Sequence, residues 1–252
     1  MTPPPARALV LQHLPVERPG SVGRRLTEAG VELVTVELDH GDEIPDLDPF
    51  DLMVVMGGPM DVWDQHRHPW LATERKAIRR WVTGRQRPFL GVCLGHQLLA
   101  EALDGRVGPM DRPEVGVVPI GIKPAAADDP LFGSLPPRIH GLQWHSAEVR
   151  VVPEGAVVLA ATPACAVQAF RVGACAWGVQ FHVEAGPSTV PEWATVPEYR
   201  TALSLTGVVA DELEATVAER SDSMEAVSAV LTAGLLAQMA PDPATALIGM
   251  ER

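Results

Sequence analysis

Cysteine is scarce in this chain. Its 252 residues hold three, Cys93, Cys165 and Cys175, with no CxxC pair. That excludes a disulfide framework and makes a reducing cytoplasm the natural compartment. Basic charge is also short, with 20 Lys+Arg against 32 Asp+Glu and a net charge of −12. Phosphate backbones call for a basic face, so nucleic acid is excluded as a partner. No apolar run reaches the roughly 18 residues of a membrane span. The Met1–Arg7 stretch lacks the charged and apolar regions of a signal peptide. Neither GxGxxG nor GxxxxGK occurs, so no phosphate cradle for an intrinsic ATP-dependent step is expected. There is no internal repeat, and no low-complexity block beyond Pro3–Pro5.

What is present is ordinary globular material, 46% hydrophobic and 21% charged, in a chain long enough for a full core. The first half alternates strand-like and helix-like segments. Ala8–Leu14, Val31–Leu38, Asp51–Met56 and Pro88–Val92 read as strands. Ser21–Ala29, Trp70–Thr83 and Gly95–Leu103 read as helices, with Gly30 and Gly84 as the stops of the first two. Continuous apolar runs such as Asp51–Met56 fit a parallel sheet covered on both faces. The alternation predicts an α/β doubly wound fold with ligands at the carboxyl ends of the strands.

Later segments change character. Val115–Ile122, Leu142–Val149, Val157–Ala161, Val167–Val172 and Ala176–Phe181 read as strands, with Val172-Gly173 as a hairpin turn. Beyond His182 the chain turns helical and acidic. Residues 184–252 carry 11 acidic and 3 basic side chains, read as a solvated helical face. Residues 241–252 read as a loosely tied tail.

Chemistry concentrates at Phe89-Leu90-Gly91-Val92-Cys93-Leu94-Gly95-His96-Gln97. An apolar strand meets a cysteine with a glycine two residues to either side, and a helix begins at once. This is the pattern of a nucleophile elbow, which lifts the thiol above the sheet edge. A helix N-terminus stabilises the thiolate and offers N–H groups to an oxyanion. The plain alternative, a buried structural cysteine, has no need of that pattern. A thiolate needs a base, and the base an orienting group. Gln180-Phe181-His182-Val183-Glu184 offers both, because residues two apart on an extended segment point the same way. Met56-Gly57-Gly58-Pro59 closes the preceding strand and leaves backbone N–H groups open as oxyanion donors.

Together, Gly91-Val92-Cys93-Leu94-Gly95-His96-Gln97, Gly57-Gly58-Pro59 and Gln180-Phe181-His182-x-Glu184 resemble the class I (triad) glutamine amidotransferases. The similarity is greatest to the stand-alone subgroup that resembles the glutaminase domain of GMP synthase. It runs from about Leu9 to Glu184 and extends to Pro69-Trp70-Leu71 and Pro113-Glu114-Val115-Gly116. The resemblance implies a flavodoxin-like α/β domain over residues 1–187, with residues 188–252 as a C-terminal helical extension packed on it. It implies a catalytic triad of Cys93, His182 and Glu184, an oxyanion hole from the N–H groups of Gly58 and Leu94, and no cofactor. Gly57, Gln97, His145 and Ser146 would hold the substrate's amino-acid head. Cys93 would form a γ-glutamyl thioester from glutamine, and the ammonia would go to a separate synthetase.

Two positions depart from the family pattern. Val183 stands where the family has proline, and Val keeps an extended backbone. After Ser146 the family's acid is replaced by Ala147, with Glu148 one place on. That departure keeps alive a second reading, a hydrolase of γ-glutamyl conjugates with the same triad and Met60–Trp70 as the wall of a leaving-group pocket. A third reading is a non-catalytic regulatory protein that keeps the fold. Asp64, His66 and His68 alternate in the manner of metal ligands, but read as a solvated loop. Cys165 and Cys175 read as small core residues. Trp63, Trp70, Trp81, Trp177 and Trp193 read as packing groups.

Overall fold

The apolar runs of the first half become buried strands whose alternate residues feed two cores. A computed structural model describes residues 4–239; the tail expected over 241–252 lies outside them. Five parallel strands come first: β1 (Arg7–Gln12), β2 (Glu32–Glu37), β3 (Leu52–Val55), β4 (Phe89–Val92) and β9 (Ala176–Val179). Antiparallel strands β5 (Arg106–Ile122), β6 (Arg138–Val151), β7 (Val157–Ala161) and β8 (Ala169–Val172) continue the same sheet. The spatial order is β2-β1-β3-β4-β9-β8-β7-β5-β6. This is the flavodoxin-like class of α/β fold, with an antiparallel wing beyond β9.

Helices α1 (Gly20–Glu28), α2 (Trp70–Arg79) and α3 (Leu94–Ala102) are followed after β9 by α4 (Thr189–Trp193), α5 (Pro197–Thr206) and α6 (Ala210–Met239). Ala8 and Val10 of β1 join Val22 and Leu26 of α1 and Leu231 and Leu235 of α6 in one core. Leu9 and Leu11 join Leu71, Ile78 and Leu98 on the opposite face. Both faces are therefore covered, as the unbroken apolar runs require. A fully buried leucine contributes about 1.5–3 kcal/mol, so the two cores dominate the stability. A third cluster joins Leu142 and Trp144 of β6 to Trp193, Tyr199, Leu213 and Met224. It covers the carboxyl edge of the sheet with the C-terminal helices. The exposed face of α6 carries Asp211, Glu212, Glu214, Glu219 and Asp222. No described helix is long and apolar enough to cross a membrane.

Several boundaries differ from the sequence reading. Gly84 does not stop the second helix. α2 gives way to a π-helical turn over Arg80–Arg85, and Gln86, at φ +50°, turns the chain. The π turn carries Trp81 into the core, where its indole N–H donates to the carbonyls of Arg87 and Pro88. β5 starts nine residues earlier than Val115. Its first half is polar and proline-bearing, with a register break between Pro109 and Glu114, so periodicity could not show it. The hairpin at Val172-Gly173 is present, with Val172 opposite Ala176 and Gly173 at φ +58°.

Backbone packs very closely where β3, β4 and α3 meet. A Cβ on Gly95 would sit 2.2 Å from the Val55 carbonyl oxygen, and one on Gly91 2.4 Å from the Gly95 carbonyl oxygen. Gly95→Ala should therefore destabilise the protein by about 3 kcal/mol or more, since backbone must move to admit the methyl. Urea unfolding followed by circular dichroism checks this; an unchanged midpoint would show that the crossing can relax.

Candidate active site

Four strand ends converge on one point. At the end of β4, Cys93 sits at φ +51°, ψ −100°, and α3 begins at the next residue. Such a backbone costs a non-glycine residue about 1–3 kcal/mol and persists only where surroundings enforce it. Here the Cys93 N–H donates to Val179 O at 2.8 Å and the Gly95 N–H to Met56 O at 3.1 Å. β3, β4 and β9 thus clamp the turn from both sides. The Leu94 N–H, at the first helical position, has no carbonyl a turn back within the helix, and Gly58 packs against the Leu94 side chain.

His182 and Glu184 arrive on the extension of β9. The His182 N–H donates to Leu142 O at 2.9 Å, while the Ser21 N–H takes Glu184 O and Ser21 Oγ takes Val183 O, both at 3.1 Å. Beyond β9 the chain bends on either side of His182, and these backbone bonds on both edges hold the segment in place without the family's proline. His182 Nδ1 lies 2.7 Å from Glu184 Oε1, and both side chains are buried. Since an ionised carboxylate only accepts, Nδ1 carries the proton. Burial alone would lower the His182 pKa, but Glu184 and Cys93 outweigh it and hold the imidazole well above its ordinary value.

Of the expected substrate residues, Gln97, His145 and Ser146 line a cavity of about 130 Å³ together with Gly58, Cys93 and Ala147, among others, whereas Gly57 is buried outside that lining, against Glu17 and His182. Gln97 and His145 are also structural. Gln97 Nε2 donates to Ala147 O and to Gln180 Oε1, both at 3.1 Å, and Gln180 Nε2 faces Cys93 Sγ at 3.5 Å. His145 spends both ring nitrogens, on Ala147 O at 2.9 Å and Glu114 Oε2 at 3.1 Å. Ser146 is exposed at the mouth. Glu148 lies elsewhere, paired with Arg150 at 2.9 Å. The acids on the cavity wall are Asp61 and Glu198.

Sequence reasoning passed over several residues here. His13 donates through Nδ1 to Gly57 O at 2.7 Å and meets Glu74 Oε1 through Nε2 at 2.9 Å, all of it buried. Burial opposes its charge, yet Glu74 raises its pKa on balance. The Gly57-Gly58 turn is thus pinned by an ion pair. Trp193 stands edge-on to His182 with ring centroids 4.4 Å apart. Tyr199 donates its hydroxyl to Glu17, which is itself buried. The available signal was position: His13 and Glu17 follow β1 at its carboxyl end, where such folds place ligands. Among the described residues, one grouping of acid and imidazole atoms is tight enough for a metal ion, that of Glu17, His182 and Glu184. Its His182–Glu184 hydrogen bond makes it an acid–base pair rather than a metal centre. Asp64 and His68 are half-buried and His66 exposed, and they form no such grouping. Trp63 is exposed rather than packed.

Fold and site define an α/β protein with a cysteine elbow backed by a buried imidazole–carboxylate pair. The sequence model of the family described as glutamine amidotransferase class I matches residues 20–192, and the chain belongs to that family. It is 36% identical over 153 residues to the glutamine-hydrolyzing GMP synthase subunit of Halobacterium salinarum, covering 60% of this chain and 75% of that one. A glutamine amidotransferase structure from Thermotoga maritima superposes with a TM-score of 0.81 at 24% identity, over 94% of this chain and 99% of that one. One from Methylobacillus flagellatus gives 0.75 at 26% identity, over 92% and 96%.

The three thiols differ in environment. Burial pushes Cys165 up to about 12 and raises Cys175 as well, while Cys93 opens on the cavity. Iodoacetamide at neutral pH should therefore alkylate Cys93 first. Peptide mass mapping checks this, and modification of Cys165 or Cys175 with Cys93 untouched would remove Cys93 as the reactive thiol.

Proposed function

We propose that this protein hydrolyses the side-chain amide of glutamine through a Cys93 thioester and delivers the ammonia to a separate acceptor enzyme. The observation that carries this reading is the 2.7 Å His182–Glu184 pair set behind a strained cysteine elbow that opens on an amino-acid-sized cavity. The Cys93 thiolate attacks the amide carbon, and the carbonyl oxygen gathers negative charge between the N–H groups of Gly58 and Leu94. His182 gives its Nε2 proton to the leaving nitrogen, the C–N bond breaks and ammonia departs. A water then loses a proton to His182 and attacks the thioester, returning glutamate and the thiol. Glu184 holds the tautomer and stabilises the imidazolium. A non-catalytic regulatory protein would have no use for this arrangement.

Gln97, His145 and Ser146 shape the cavity around the amino-acid head, while Gly57 acts from outside its lining, beside Glu17 and His182. Ala147 removes an acid from that wall, and Asp61 and Glu198 are placed to meet the substrate ammonium instead. The described part of the 188–252 extension, residues 188–239, belongs to the one domain, since α4 and α5 supply Trp193 and Tyr199 to the site. The acceptor reading draws on similarity to chains named as subunits of a glutamine-hydrolyzing synthase. A second reading, hydrolysis of γ-glutamyl amides, is supported by a groove of about 880 Å³ that includes Trp70 and His68. Pro59, Met60, Asp61 and Glu198 line both this groove and the small cavity, so a bulky amine beyond the scissile bond has somewhere to go.

Glu184→Gln should lower kcat about 10²-fold with the fold intact, and His182→Ala should lower it further. Steady-state glutamate release checks both, and an unchanged kcat in Glu184→Gln would assign the orienting role to another acid. Asp61→Asn and Glu198→Gln should together raise KM for glutamine at least about tenfold, because a charged hydrogen bond contributes about 1.5–3 kcal/mol. The isolated chain should turn glutamine over slowly and speed up when its acceptor docks. Fast partner-free cleavage of γ-glutamyl amides, with glutamine much poorer, would favour the second reading.

A further inference from the structure

Glu17 is a buried acid that the amide-cleavage scheme leaves without a task. It sits on the turn after β1, 1% exposed, and among the described residues no lysine or arginine pairs with it. One carboxylate oxygen accepts the Tyr199 hydroxyl, while Oε2 has no hydrogen-bond partner, and neither does Glu184 Oε2. An oxygen of Glu17, an oxygen of Glu184 and a ring nitrogen of His182 all lie within 4.8 Å of one another. A Cβ built on Gly57 would fall 2.6 Å from Glu17 Oε2 and 3.1 Å from His182 Cε1, so carboxylate and imidazole edge meet over the same glycine.

We propose that Glu17 is a positioning residue for the reaction, a second carboxylate that acts with Glu184 to hold His182 in its charged form. This rests on the reading of Cys93 and His182 given above. Two acids flank one imidazole. Glu184 bonds Nδ1 and fixes the tautomer, whereas Glu17 contributes charge without a direct bond. When Cys93 gives up its proton, the imidazolium that results is stabilised from both sides. The groups facing Glu17 agree with such a role. They are His182 and Glu184 on the sheet edge, His13 at the end of β1 and Tyr199 on α5. Burial pushes the Glu17 carboxyl up, the His182 charge and the Tyr199 hydroxyl pull it back, and it settles at about 6. Glu17 does not line the cavity at Cys93.

The test uses the full chain and two readouts, glutamine turnover and the rate of Cys93 alkylation by iodoacetamide as a function of pH. In the unmodified protein, alkylation should rise through an acid limb near pH 6, where Glu17 ionises. Glu17→Gln should erase that limb, slow alkylation at neutral pH about tenfold and lower kcat by a similar factor. KM should hold, because the residue does not touch the cavity. Tyr199→Phe removes a hydrogen bond that favours the charged carboxylate, so it should move the limb to higher pH. That variant carries the test if Glu17→Gln fails to fold. An alkylation profile that neither substitution moves would overturn the inference, even if kcat fell, since a merely structural loss would leave the thiol's pH response in place. Absence of selective Cys93 alkylation and of glutamine turnover in the unmodified protein would instead sink the functional reading itself.

Discussion

An imidazole held well above its ordinary pKa sits where water is almost excluded. Burial alone would neutralise His182, because desolvation disfavours the charged form. The protein opposes this with the Glu184 carboxylate at 2.7 Å and with the nearby sulfur of Cys93. The aromatic edge of Trp193 fixes the ring without bonding to it. None of these groups is held by side-chain choice alone. Each sits at the end of a strand whose backbone bonds place it, so the sheet register sets the electrostatics.

That arrangement has a cost that can be located. Glu17 is displaced from 4.5 to about 6 by burial. A carboxyl raised on folding binds its proton more tightly in the folded state, so stability falls as pH rises through that window. Above it the loss is about 2 kcal/mol, a sizeable part of the total for a domain. The strain at Cys93 adds to it. Gly91 and Gly95 belong to the same constraint, since the turn exists only while β3, β4 and α3 touch backbone to backbone. Two large apolar cores on either side of the parallel strands offset these losses.

The parallel half of the sheet was legible because strands buried on both faces are apolar at every position, as in Leu52–Val55. The elbow was legible because its steric demands fall on neighbours in sequence. His182 and Glu184 were legible because they lie two residues apart just past β9, although the chain bends there and backbone bonds, not an extended strand, bring the two side chains together. What escaped depends on contacts distant in sequence. Nothing near Glu17 points to Tyr199, 182 residues away, and nothing near His13 points to Glu74. The first half of β5 escaped because a long strand along a polar, solvent-facing wing shows neither apolar run nor clean alternation. Gly84 misled because the helix end is set by the buried Trp81, which the π turn delivers to the core.

The same distinction explains Ala147. Read along the chain, losing an acid there weakens the case for an amino-acid head in the site. Read in space, Ala147 matters through its carbonyl, which accepts from both Gln97 and His145. Acidity on that wall comes from Asp61 beyond β3 and Glu198 at the start of α5. The second of these lies outside the matched residues 20–192, on helices that also bring Tyr199 to Glu17. The C-terminal helices therefore set Trp193 against the imidazole, Tyr199 on Glu17 and Glu198 on the cavity wall, so all three meet at one site.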